Sequence, residues 1–418
     1  MKKISIIGAG ISGLSIANML LDKFEVEVLE KGEKPGGLIK CDRIDGVLFH
    51  RVGGHVFNSK NNAVLEWFWD HFDRETEFVN ASRNARILLG DRIIGYPIEN
   101  YLYQLPEEQA RAIIEELIAM MASGQEGKIT TNFKDFLEDR FGKKLYELYF
   151  GPYNSKIWNT DLSKVPLNWL EGKLPMPSKK EILISNMLRK EESGMVHASF
   201  YYPAKDGSQF IINRLAEGQD VKVGYRVNRI KIAEGSLLKI NDEFSTDSIV
   251  YCGDVRELAD IVDTVDIELK EALKAATGFT SNGTSNALCE ADASDISWLY
   301  LPENKFRAHR IIYTGNFSPT NNSSKPGRIS CVVEFNGKQT QEDMLKDLAL
   351  LPGNLEAIAF NYEPNSYIIH DEYTREKIAL LKTMLERYHI HLLGRFAEWE
   401  YYNMDKCIES AMELCKKL

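Results

Sequence analysis

Three glycines near the start of the chain, Gly8, Gly10 and Gly13 in "SIIGAGISGL", have the spacing that receives a diphosphate. In Gly-x-Gly-x-x-Gly the first glycine allows a tight turn. The second lets backbone approach a pyrophosphate, and the third lets a helix close on a strand. A helix beginning there offers free N–H groups and the positive end of its dipole to the phosphates. Glu30, at the end of the next β-like run, is placed to accept a hydrogen bond from a ribose 2′-hydroxyl and to repel a 2′-phosphate. The chemistry these residues suit is dinucleotide binding, with NAD and FAD both open and a phosphorylated ribose disfavoured.

Such a turn needs a strand before it and a helix after it. Residues 3–7 cluster β-branched side chains as a buried parallel strand does, "SGLSIANMLLDKF" has helical periodicity, and "EVEVLE" reads as the second strand of a βαβ unit. Leu105 to about Gly124 is an amphipathic helix with acidic residues in its first turn, "NFKDFLEDRFGKKLYELYF" a helical pair, and "SKKEILISNMLRKEES" a third helical segment. Short β-like runs follow in "VKVGYRVNRIKI", "DSIVYCG", "HRIIYTGNF" and "RISCVVEF". The polar stretches "TGFTSNGTSNALCEADASD" and "PTNNSSKPG" read as loops, and the chain closes on a strand-like "HIHLLGRF" and a helix from about Asp405. The pattern is an interrupted α/β nucleotide-binding core, a helical insertion and a second, mixed-sheet domain.

Composition narrows the function classes. A formal net charge of −10 over 418 residues argues against nucleic acid as a partner, which needs a positive face. The six cysteines are scattered, with no CxxC and no HExxH, so no metal site is expected and a reducing compartment is favoured. "MKKISIIGAG" has an apolar run too short and too glycine-broken for a signal peptide, and no stretch approaches the ~18 apolar residues of a membrane span. A cytoplasmic chain with a small-molecule substrate is expected.

"EKGEKPGGLIK", with Gly36 and Gly37, resembles the segment that wraps FAD in the two-dinucleotide flavoprotein superfamily, and Gly53, Gly54 and His55 resemble the one passing the isoalloxazine ring. Along the whole chain the similarity narrows to the UDP-galactopyranose mutases and their relatives. "GGHVFNSKN", "IIGYPIENYLYQL", "GPYNSKIWNTDLSKVPLNWLEGKLP", "YYPAKDGSQFIINRL" and "LLGRFAEWEYYNMDKCI" each resemble a segment of that family. The resemblance implies an α/β fold, in which a two-dinucleotide, Rossmann-like FAD-binding domain carries a helical insertion and a mixed β-sheet substrate domain. These would be residues 1–77, 200–255 and 385–418 (FAD), 105–199 (helical), and 78–104 with 256–384 (mixed sheet). It also implies that FAD meets Gly8, Gly10, Ile11, Ser12 and Gly13, then Glu30, Lys31, Gly36, Gly37 and Leu38. Gly54, His55, the backbone near Val227, Gly394, Arg395, Asn403 and Met404 would complete its site. In the mutases the chemistry is carried by reduced FAD, whose N5 serves as nucleophile toward the sugar's anomeric carbon with no net redox change. No side chain is assigned the chemical step, and His55 and Arg310 are the candidates for one.

A nucleotide sugar needs aromatic faces and diphosphate donors. Tyr153, Lys156, Trp158, Tyr300, Arg310 and Tyr401 are the candidates, core packing being the alternative for each aromatic. Three positions depart from the family pattern. Its Ile-Pro-Val-Arg is Leu174-Pro175-Met176-Pro177 here, without the arginine that meets the diphosphate; Asn58 replaces a histidine and Asn403 an aspartate. One lost charged hydrogen bond costs about 1.5–3 kcal/mol, and that falls on substrate rather than FAD. Two alternatives therefore stand beside a mutase acting on a nucleotide sugar. One is an oxidoreductase of the amine oxidase or protoporphyrinogen oxidase type, the other a catalytically silent FAD-binding protein. A homodimer is compatible with each.

Overall fold

The computed structural model describes residues 1–123, 130–167, 177–189, 199–232 and 237–418. Leu174, Pro175 and Met176 of the departing segment lie outside the described residues.

The β-branched run Lys3–Ile7 becomes the middle strand of a five-stranded sheet, with Ser248–Tyr251 on one side and Glu25–Glu30 on the other. Ile390–Leu392 and Val221–Val223 form its edges, and every pairing is parallel. A parallel sheet must be covered on both faces, which is why these strands are near-continuously apolar. One face is covered by helices Ile11–Leu20, Ser208–Ala216 and Met404–Cys415, whose Leu14, Ile211 and Ile408 share a core with Ile4 and Ile6. Under the other face, Ile7 and Leu29 pack with Leu269 and Leu273 of helix Ile267–Ala276 and Leu381 and Leu385 of helix Thr374–Glu386. The division by sequence places the first of these helices, and residues 374–384 of the second, with the mixed sheet.

The second sheet has seven strands, in the order Glu356–Ile369, Thr280–Asp292, Arg328–Asn336, Ala308–Ile312, Trp298–Tyr300, Ala85–Leu89 and Arg92–Gly95. It is mixed, because Trp298–Tyr300 runs parallel to Ala85–Leu89 while its other pairings are antiparallel. Here one sequence expectation fails. "TGFTSNGTSNALCEADASD", read as a polar loop, contains the thirteen-residue strand Thr280–Asp292 in the interior of this sheet. Its Ala287, Cys289 and Ala291 face a core with Met344 and Leu348 of helix Gln341–Leu348, while Asn282, Thr284 and Asn286 lie on the opposite face and are buried as well. Polar composition misleads because both neighbouring strands cover what would otherwise be a solvated segment. Strand Glu356–Ile369, also unread in the sequence, is its partner.

The helical block appears as expected, in Glu107–Ala122, Phe133–Phe141, Gly151–Trp158 and Lys179–Leu188. Its Leu117, Phe133, Leu137 and Tyr149 pack with Ile87, Trp298 and Tyr300 of the seven-stranded sheet. Among the described residues no helix is long and apolar enough to cross a membrane.

Candidate active site

The chain turns from Lys3–Ile7 into helix Ile11–Leu20 at the carboxyl end of the central strand, where the connections to its two neighbours diverge and ligands of such sheets bind. Gly8 sits at φ +109°, with its N–H donated to Leu29 O at 2.8 Å. A Cβ on Gly13 would lie 2.0 Å from the Gly8 carbonyl oxygen, so helix and turn meet without room for a methyl group. Gly10 and Gly37 approach backbone to backbone, a Cβ on Gly10 falling 3.7 Å from Gly37 Cα. No side chain caps the helix at Gly10, which leaves its first N–H groups facing the cavity that opens there. Glu30 closes the turn from the other side. Its carboxylate accepts from Ala9 N and Gly32 N, both at 2.8 Å.

The cavity measures about 540 Å³, within the range of cofactor sites. Every residue expected to meet FAD lines it. Gly8 to Gly13 and Glu30–Lys31 form its floor, Gly36 to Leu38 the wrap, and Gly54 with His55 one wall. Val227, Gly394, Arg395, Asn403 and Met404 complete its lining. His55 and Arg395 line it, and among the described residues the buried Nε2 of His55 and Nε of Arg395 have no hydrogen-bond partner. A glycine cradle, uncapped helix N–H groups and the Arg395 guanidinium fit a pyrophosphate-bridged dinucleotide.

The same cavity continues onto the seven-stranded sheet, where Arg83, Trp298, Tyr300, Arg310 and Tyr401 line it. Arg83 donates to Tyr300 Oη, and its guanidinium lies 5.1 Å from the Tyr96 ring and 5.2 Å from that of Trp298. Arg310 donates through Nε to the buried Glu334 carboxylate and through Nη2 to Tyr367 Oη at 3.1 Å. Burial alone would raise the Glu334 carboxyl, but Arg310 and His309 beside it outweigh that and hold it well below the usual carboxylate range. Arg395 stacks on Tyr401, 4.0 Å from guanidinium to ring centre.

Of the six substrate candidates, Tyr300, Arg310 and Tyr401 therefore reach the cavity. Tyr153 stands behind it, edge-on to Tyr300 at 5.3 Å. Lys156 is turned away, and its ammonium donates to the carbonyls of Leu301, Glu303 and Ala308 at 2.8, 2.5 and 3.3 Å, fastening helix Gly151–Trp158 to the sheet. Burial brings that ammonium down to about 8. Trp158 is buried in the helical block's core. Asn58 donates to Ser199 O at 2.7 Å, and Asn403 precedes helix Met404–Cys415 at its N-terminus. Sequence reading missed Arg83, Trp298 and Glu334, which carry no motif; Arg83 joins the site through Tyr300 and Trp298, and Glu334 through its pairing with Arg310.

Burial depresses His55 to about 4, with the Arg395 cation adding to the effect, and depresses His50 to about 3, with His55 contributing. Both rings stay neutral in the native protein at pH values where the unfolded chain, near 6.5, already binds protons. Stability is therefore held above about pH 6.5 and lost as pH falls toward 4, on the order of 2 kcal/mol from each ring at pH 5. Denaturant unfolding at pH 7 and pH 5 should show the midpoint falling; an unchanged midpoint would contradict the buried neutral imidazoles.

Comparison with known proteins agrees with this geometry. The pattern of the NAD(P)-binding Rossmann-like domain matches residues 6–72. The UDP-galactopyranose mutase of Mycoplasma genitalium is 20% identical over 440 residues, covering 99% of this chain and 94% of that one. A probable UDP-galactopyranose mutase of Klebsiella pneumoniae is 26% identical over 185 residues, 42% of this chain and less than half, 45%, of that one. The crystal structure of a reduced UDP-galactopyranose mutase superposes with a TM-score of 0.88 at 20% identity, over 100% of this chain and 93% of that one. A putrescine oxidase with bound putrescine superposes at 0.66 and 15% identity, over 100% and 98%. The fold is the one these enzymes share, and the glycine turn at its cavity has the form of a dinucleotide-binding site. Along nearly its whole length the chain is similar to the UDP-galactopyranose mutases, and it shares its fold with the oxidase.

Proposed function

We propose that the chain acts on a nucleotide sugar through reduced FAD, isomerising the sugar as a mutase does. The observation that carries this reading is the continuity of one cavity from the glycine turn to Arg83, Tyr300 and Arg310. When bound and reduced, FAD supplies a nucleophilic nitrogen for the anomeric carbon, with no net redox change. The chain supplies binding and orientation. Arg83 and Arg310 offer charge and directed N–H groups to a diphosphate, and the Tyr300 and Tyr401 hydroxyls extend that donor set. His55 stays neutral at pH 7 beside the cofactor site and presents Nε2 without adding positive charge. The seven-stranded sheet and the packed helical block keep bulk water from one side of the cavity, where electrostatic contacts strengthen.

The division into FAD, helical and mixed-sheet domains, a cytoplasmic location and a homodimer belong to the same reading. All six cysteines are free thiols, which suits a reducing compartment. One observation favours a net oxidoreductase instead: Lys156 and Trp158, which lie in a mutase-like segment, stand outside the cavity. The two readings separate in one experiment. The protein is reduced anaerobically with dithionite and given a panel of UDP-hexoses, and the products are resolved by chromatography. A new UDP-sugar isomer formed only by the reduced protein is the expected result. No conversion and no UDP-sugar binding would overturn the reading, and oxygen uptake with an oxidisable substrate would establish the oxidase.

A further inference from the structure

The register of the seven-stranded sheet sets five side chains in one transverse row. Tyr300 pairs with Arg310, Arg310 with Glu334, Glu334 with Asn286, and Asn286 with Asn361. Two members of the row line the cavity, Tyr300 and Arg310. Glu334, with no exposed surface, is the next member inward. Its two oxygens go to different places. Oε1 accepts from Gly53 N at 2.8 Å, in the turn that leads to Gly54 and His55 on the cofactor wall. Oε2 accepts from Arg310 Nε, with His309 Nε2 also 3.4 Å away. Arg310 Nη2 is taken by Tyr367 Oη at 3.1 Å, so two edges of the guanidinium are fixed and Nη1 makes no hydrogen bond within the described residues.

We propose that Glu334 is a positioning residue, a single buried carboxylate that locks Arg310 and the Gly53–His55 turn to one another so that the anion-binding cation and the cofactor wall keep one relative placement. Both partners are N–H donors, which is why an ionised carboxylate is required. A glutamine offers one oxygen and one NH2 group, so whichever way it turns, it sets donor against donor at either Gly53 or Arg310. A shorter aspartate reaches one partner and not both. The link to substrate rests on the reading of Arg310 as a diphosphate ligand; the link to the turn does not.

The test uses the FAD-loaded full chain and two readouts. Hydrogen exchange at the Gly53 amide reports the carboxylate's hold on the turn without any substrate. Calorimetric titration with UDP reports Arg310. Glu334→Gln should speed Gly53 exchange at least tenfold and weaken UDP binding about tenfold. In an Arg310→Gln background, adding Glu334→Gln should change UDP affinity less than twofold, because the effect runs through Arg310, whereas general loosening of the fold would add its full loss again. The double variant removes both charges together and so remains measurable if the single Glu334→Gln chain does not fold. In it, Gly53 exchange should stay fast while UDP affinity matches that of Arg310→Gln. Unchanged Gly53 exchange in Glu334→Gln or in the double variant would overturn the proposal, as would full additivity of the two UDP losses. Wild-type protein that exchanges as expected yet binds no UDP would instead sink the nucleotide-sugar reading and leave the positioning role standing.

Discussion

Replacing Gly13 by alanine should yield protein without bound FAD and destabilised by about 3 kcal/mol, the upper end of the usual overpacking range. The added Cβ would sit 2.0 Å from Gly8 O, 3.2 Å from Gly8 C and 3.3 Å from Ile6 Cγ2. None of these can yield cheaply. Gly8 is tied by its N–H to Leu29 O, and Ile6 lies in the central strand between two parallel partners. Helix Ile11–Leu20 must therefore lift from the sheet, which opens the core around Leu14 and Ile16 and withdraws the N–H groups that face the diphosphate. Gly10→Ala is the informative contrast. Its methyl would meet only Gly37, Cα at 3.7 Å and N at 4.0 Å, in ordinary contact. The fold should survive while the methyl occupies space that a pyrophosphate needs. Flavin content per chain and the thermal midpoint of both variants separate the effects. Retention of FAD by Gly13→Ala would contradict the account of the turn.

The second large effect is expected at Arg310. Replacing it with methionine leaves the fully buried Glu334 facing Gly53 N and His309 with no guanidinium beside it. Removing one partner of a buried ion pair costs about 3–5 kcal/mol, because the remaining charge is desolvated without compensation. Lysine should not rescue it, since a single ammonium cannot donate to Glu334 along one edge and reach Tyr367 Oη along another. The sign of the pH dependence is diagnostic. In wild type the Glu334 carboxyl is held low, so it is ionised throughout the useful range. In the variant its affinity for a proton rises, and protonating either Glu334 or His309 relieves the defect. The stability gap between wild type and Arg310→Met should thus narrow as pH falls from 7.5 to 5.5, measured as the difference of denaturant midpoints. A constant gap would mean that Arg310 stabilises the fold by packing and not by charge.

How much of this could be read in advance depended on how local the interaction is. The glycine turn, Glu30, the Gly36–Gly37 wrap and the Gly394–Arg395 segment are short stretches whose spacing alone states their geometry, and all of them meet in one cavity. The seven-stranded sheet is the opposite case. Strand Thr280–Asp292 has the composition of a loop, and only its two neighbours, 328–336 and 356–369, make it a strand. Arg83 and Glu334 lie far apart in sequence; Glu334 enters the site by its cross-strand pairing with Arg310, and Arg83 by its contacts with Tyr300 and Trp298, and no local pattern reveals either. Lys156 shows the reverse error: a lysine in a family-like segment looks like a ligand for an anion until three carbonyls, those of Leu301, Glu303 and Ala308, engage its ammonium. Its role is to hold the helical block where Tyr153 can support Tyr300.

The central claim is that the cavity between the glycine turn and the mixed sheet holds FAD. The most direct measurement is to saturate the purified protein with FAD, remove the excess, denature the chain, and quantify the released nucleotide by chromatography. The account predicts one FAD released per chain, a flavin absorbance spectrum before denaturation, and loss of both in Gly13→Ala. Release of no flavin, with NAD retained in its place, would contradict it.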